Sequence, residues 1–160
     1  MNILIAGIGN IFEGDDAFGC EVARTLMTRA LPDNVRVVDF GIRGLDLAYA
    51  LLDKPDLTIL VDATQQGGSP GTVYTMEPDL KDLDRAGVIT LDTHSMDPVR
   101  VLRMAHAMGG ELGRILLVGC EPADLGGEDG RMGLTPIVAG AIDQAADVVV
   151  SLIEKELVEV

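Results

Sequence analysis

Hydrophobic positions along this chain fall into two alternating kinds of stretch. Ile3 to Ala6, Val35 to Phe40, Leu57 to Val61 and Ile115 to Gly119 are near-continuous aliphatic runs. They read as strands covered on both faces, because a strand with one wet face would alternate with polar residues. Thr72 to Met76 is a further strand, more polar and preceded by the turn signal Ser69-Pro70-Gly71, which places it toward an edge. Between these runs the apolar residues recur at helical spacing. Asp16 to Ala30 carries Val22, Ala23, Leu26 and Met27 on one face, and Leu45 to Leu52 is a shorter helix. Asp97-Pro98 supplies an N-cap side chain and a first-turn proline, and Gly109 closes that helix. Thr135-Pro136 opens the last helix in the same way, with Ile137, Ala141, Ala145, Val148, Val149 and Leu152 keeping one apolar face.

Strands alternating with helices imply an α/β fold. The expected form is a doubly wound, mostly parallel twisted sheet of about five strands with helices on both faces. The 160 residues show no repeat, low-complexity tract or linker, so one domain is expected over 1–160. Sheets of this kind bind ligands beyond the carboxyl ends of their strands, where the winding direction reverses. If the second strand pairs on one side of the first and the third on the other, a crevice opens between the loops after strands one and three. Those loops contain Asp16 and Asp62.

Composition narrows the function classes. Apolar residues make up 48% of the chain, which excludes disorder, and only 3% are aromatic, so aliphatic packing must build the core. A formal charge of −14 argues against nucleic acid or an anionic membrane as partner and is compatible with a cation. Cys20 and Cys120 form no CxxC pair, so neither a disulfide framework nor a structural zinc site is expected; each reads as a small core residue. No signal-peptide pattern is visible, and the apolar run Val148 to Ile153 is too short to span a bilayer. The expectation is a soluble, cytoplasmic protein.

The stretch GIGNIFEGDDAFG, residues 7–19, has the outline of a phosphate-binding turn but carries Glu13, Asp15 and Asp16 where an anion would sit. The third position of a dinucleotide fingerprint is Phe12. Asp16 stands at the start of the first helix, Asp62 ends the third strand, and His94, in LDTHSMDP, precedes the Asp97-Pro98 helix. Two carboxylates and an imidazole on one rim make an O,O,N site for a borderline divalent cation such as Ni²⁺, Zn²⁺ or Mn²⁺. Plainer roles stand beside this one: Asp15 and Asp16 as helix caps, Asp62 as a strand-end hydrogen-bond acceptor, His94 as an incidental loop residue. A phosphoryl-signalling receiver shares the acidic layout but needs a lysine after the last strand, where this chain has Cys120-Glu121-Pro122. No Gly-x-Ser-x-Gly elbow is present.

Taken in order, Gly7-x-Gly9-Asn10, Asp15-Asp16-x-x-Gly19, Val61-Asp62-Ala63, Pro70-Gly71-Thr72, Thr93-His94-Ser95 and Gly133-Leu134-Thr135-Pro136 resemble the hydrogenase maturation endopeptidases. The resemblance implies a partner: the nickel-loaded precursor of a nickel–iron hydrogenase large subunit, from which the protease removes a C-terminal extension. It implies metal contact and catalysis at Asp16, Asp62 and His94. Nickel would be supplied by the substrate, since three ligands without a fourth Cys or His make a weak site, and other divalent cations suit the same donors. Many relatives carry Asp-Gly-Gly-Thr after the second strand, whereas this chain has Asp39-Phe40-Gly41-Ile42-Arg43-Gly44. Asp39 and Arg43 are therefore candidates for substrate recognition, Asp39 equally for a strand-end hydrogen bond. Glu121 is a third candidate; it opens the acidic, glycine-rich stretch Glu121 to Met132, which is either a lid or a long surface loop. A non-enzymatic nickel-sensing module on the same fold would use the same ligands.

Overall fold

The computed structural model describes residues 1–81 and 97–158. Within them, β1 (Ile3–Ile8) leads through a 3-10 turn (Gly14–Ala17) into α1 (Phe18–Met27). There follow β2 (Val35–Gly41), α2 (Gly44–Leu52), β3 (Leu57–Ala63), β4 (Val73–Met76), α3 (Pro98–Ala107) and β5 (Arg114–Cys120), and the chain closes with α4 (Pro136–Ala139) and α5 (Ile142–Val158). The strands form one five-stranded sheet in the order β2-β1-β3-β5-β4. All pairs are parallel except β4 with β5. The winding direction reverses between β1 and β3, as expected, and the polar strand β4 lies at an edge.

Burial on both sides explains the aliphatic runs. β1 and β3 are sealed along almost their whole length. Ile5, Ile59 and Val61 point into a core shared with Phe18, Val22 and Leu26 of α1 and with Val149 and Ile153 of α5. Leu4, Ala6, Ile8 and Leu60 point the other way, onto Leu47 and Leu51 of α2 and Leu102 of α3. Each such fully buried aliphatic side chain contributes about 1.5–3 kcal/mol.

The helices depart from expectation in three places. Asp16 lies in the 3-10 turn rather than in α1, which starts at Phe18. Met27, expected on the apolar face of α1, is 51% exposed. The last helix is broken after Ala139, so its buried face runs through Val138, Ala141, Ala145, Val149 and Ile153, and Ile137 is turned out to 55% exposure. Pro136–Val158 is long enough, at a mean hydropathy of 1.6, to cross a membrane by composition alone. Here that apolar stripe is spent on α1 and the sheet.

Candidate active site

Close approach of backbone, not an anion, explains the glycines of the first loop. A Cβ on Gly19 would stand 2.0 Å from the Val61 carbonyl oxygen, and one on Gly9 would stand 1.9 Å from that of Asp16. Without side chains at these positions the turn seats directly on β1 and β3, and this brings Asp16 to the carboxyl end of β3.

Asp62 is the penultimate residue of β3 and is buried. By strand alternation it points to the same side as Leu60, the side covered by α2 and α3. Among the described residues its carboxylate receives one hydrogen bond, from the Ala63 N–H at 2.8 Å. Asp16 is half-buried and likewise receives one, from the Asn10 N–H at 2.8 Å. Burial raises the pKa of Asp62 well above the carboxylate range, and the charges of Asp16 and Asp97 add to it against the Ala63 N–H. Burial also raises that of Asp16, opposed by the Asn10 N–H. The structure thus brings Asp16 and Asp62 together as a mutually repelling pair. Asp97 caps α3 by accepting from the Val99 N–H at 3.0 Å, and its charge reaches the same place. His94 lies outside the described residues, three positions before Asp97 in sequence.

Asp15, one residue from Asp16, is different. It is fully buried, and its carboxylate accepts from the N–H groups of Thr135 (2.7 Å), Ala123 (2.8 Å) and Asp124 (2.9 Å) and from the Thr135 hydroxyl (2.9 Å). Burial by itself would raise its pKa, but these donors together hold it below the ordinary value. Asp15 and Asp16 therefore neither share a proton nor act as simple helix caps. No local sequence signal separates the two; the donors to Asp15 come from over a hundred residues away.

The stretch after β5 is not a free lid. Asp15 N–H donates to the Asp124 carbonyl, Gly14 N–H to Arg131, and Arg131 N–H to Phe12, all within 2.8–2.9 Å. Its start and end are thereby tied to the first loop. Both oxygens of the Glu121 carboxylate are occupied by the N–H groups of Gln66 (2.7 Å) and Gly67 (2.8 Å), so this side chain latches the β3–β4 loop.

Asp39 and Arg43 lie together at the end of β2, lining a cavity of about 380 Å³ that also touches Gly9 and Asn10. Asp39 accepts from the Gly41 N–H at 3.0 Å and faces Arg24 at 3.5 Å. The Arg43 guanidinium donates to the carbonyls of Phe40 and Asp39 and to Asp46. Both shape the entry to α2 as well as the cavity wall. Cys20 and Cys120 are buried, and burial pushes the Cys20 thiol far up and that of Cys120 to about 11, so neither is an activated nucleophile.

Among the described residues no three His, Cys, Asp or Glu side chains form a metal-holding group. The Asp16–Asp62 pair nonetheless fits two-thirds of the expected donor set. Burial disfavours the charged form of both carboxylates, the charge of Asp16 adds to this at Asp62, and a cation held by the pair would offset both effects.

Comparison with known proteins identifies the family and the fold. Residues 20–152 match the family model for hydrogenase maturation protease, a span that starts just after Asp16 and includes Asp62 and His94. The chain is 34% identical over 155 residues to a putative hydrogenase maturation protease of Methanocaldococcus jannaschii, covering 96% of this chain and 97% of that one. It is 29% identical over 162 residues to the hydrogenase 2 maturation protease of Escherichia coli, covering 99% and 94%. Among solved structures, the hydrogenase maturating endopeptidase HybD from E. coli matches with a TM-score of 0.76 at 28% identity, over 98% of this chain and 94% of that one. The hydrogenase 2 maturation peptidase of a Thaumarchaeota archaeon matches with a TM-score of 0.73 at 28% identity, over 96% and 99%. The chain belongs to the hydrogenase maturation protease family and is a hydrolase of the peptidase class.

Proposed function

We propose that this endopeptidase recognises nickel in the precursor of a nickel–iron hydrogenase large subunit and removes the precursor's C-terminal extension. Asp16, Asp62 and His94 are the residues assigned to contact the metal. The observation that carries the reading is the Asp16–Asp62 pair: two carboxylates at the sheet's reversal point, each with one hydrogen-bond donor among the described residues and each raised in pKa. An oxygen-donor pair of this kind accepts a cation that arrives with the substrate and has no need to retain one between turnovers.

Peptide hydrolysis requires a polarised carbonyl, an attacking water and a protonated leaving amine. A bound divalent ion supplies the polarisation and acidifies water. The chain supplies the proton traffic. A buried carboxylate whose pKa is raised, as that of Asp62 is, binds a proton more strongly than an ordinary carboxylate. It is the group to take a proton from the attacking water and return it to the departing nitrogen when it is not engaged with the metal. Asp15 takes no part in such an exchange, because its lone pairs are already committed to the N–H groups of Thr135, Ala123 and Asp124. The acidic surface, in a chain of net charge −14, favours approach by a cation-bearing partner.

Asp16→Asn, Asp62→Asn and His94→Ala are each expected to abolish shortening of a nickel-loaded large-subunit precursor, read by mass spectrometry, with circular dichroism unchanged. Normal shortening by all three variants would remove the proposed site.

A further inference from the structure

We propose that Thr135 and Asp15 are positioning residues for Asp16, through which the segment after β5 sets the placement of the metal-contacting carboxylate. Three independent features of the structure converge on this. First, Thr135 occupies the N-cap position of α4 but makes no capping hydrogen bond. An N-cap threonine normally uses its side-chain oxygen to accept from an N–H in the first turn of its own helix. Here the hydroxyl, together with the residue's own N–H, is directed at Asp15 instead. Second, the residues flanking Asp15 are zipped to the same distant segment through Gly14 to Arg131, Asp15 to Asp124 and Arg131 to Phe12. Third, the Asp16 carboxylate has only the Asn10 N–H to hold it among the described residues. With a single such contact, the placement of this carboxylate depends heavily on the backbone of the turn, and Asp15 anchors that backbone to the segment after β5. A side chain one residue along from a pinned neighbour has its Cα held 3.8 Å from it, so loosening Asp15 displaces Asp16 directly.

This inference rests on the assignment of Asp16 to the metal site, and the experiment separates the two. Full-length Thr135→Val, Thr135→Ser, Asp15→Asn and Asp16→Asn variants are assayed on nickel-loaded precursor well below their unfolding midpoints, with folding verified by circular dichroism. Valine keeps the shape and the N–H of Thr135 and removes only the hydroxyl. The expected result is kcat lowered about 10-fold in Thr135→Val and about 100-fold in Asp15→Asn, with KM within about twofold, as for small displacements of a reacting group. Thr135→Ser, which keeps the donor, is expected to restore kcat to within about twofold of the parent. A folded Thr135→Val with the parent's kcat, or a serine variant as slow as the valine, overturns the inference while leaving the metal site standing. Full activity in Asp16→Asn overturns the site itself.

Discussion

Asp15→Ala gives the most quantitative expectation. The substitution removes a fully buried carboxylate that accepts from three backbone N–H groups and one hydroxyl at 2.7–2.9 Å. The Thr135 N–H and hydroxyl are left buried and unpaired, whereas Ala123 and Asp124 are exposed residues whose N–H groups turn to water. At about 1 kcal/mol or more for each of the two orphaned donors, the loss is about 2 kcal/mol, a sizeable share of the 5–15 kcal/mol typical of a domain. In a chain of this length that corresponds to a fall in Tm of about 4–8 °C. Asp15→Asn keeps one acceptor oxygen and loses about half as much. Because the folded-state pKa of Asp15 lies below its unfolded value, this stabilisation is present above the ordinary carboxylate range and is lost as pH falls through the folded value. The parent and Asp15→Asn should therefore converge in acid. Urea unfolding followed by circular dichroism at neutral and acidic pH measures both effects. An Asp15→Ala variant within about 1 kcal/mol of the parent at pH 7 would refute the reasoning.

Asp62 has the opposite sign. Its folded-state pKa is raised, so stability falls as pH rises from the ordinary carboxylate range through the raised value. Asp62→Asn should unfold at a higher urea midpoint than the parent at neutral pH, an advantage that vanishes in acid, while processing is lost; a lower midpoint at neutral pH would contradict the assignment of its buried charge. Glu121→Ala should release the Gln66 and Gly67 amides, raising their hydrogen-exchange rates about tenfold or more, and unchanged protection would show that the latch is not what orders that loop.

What the sequence disclosed and what it hid follow from the range of the interactions involved. Strands sealed on both faces announce themselves in four or five consecutive residues, so β1, β2, β3 and β5 were legible, as were the edge position of β4 and the reversal beside Asp62. Helix boundaries were less so. Asp16 has ordinary helix-start chemistry, but its side chain reaches back to Asn10 and its own N–H bonds to the Glu13 carbonyl, giving a tighter turn. Ile137 fits an apolar periodicity that the break after Ala139 interrupts. Adjacent aspartates with the same local signal part company at 15 and 16 because one meets Thr135, Ala123 and Asp124 and the other does not. The Thr135-Pro136 cap signal located α4 correctly while concealing that its hydroxyl serves a residue 120 positions away. Glu121 read as a recognition candidate because nothing nearby in sequence reveals its two amide partners. His94 lies in the part of the chain outside the described residues, so the two carboxylates of the expected three ligands are the ones the described structure brings together.

The central claim is that cleavage depends on nickel carried by the substrate. Purified protein incubated separately with nickel-loaded and nickel-free large-subunit precursor, each then weighed by intact-mass spectrometry, tests it most directly. Loss of the C-terminal extension from the loaded precursor alone is the expected result. Equal shortening of both forms would show that the Asp16–Asp62 pair does not read the metal.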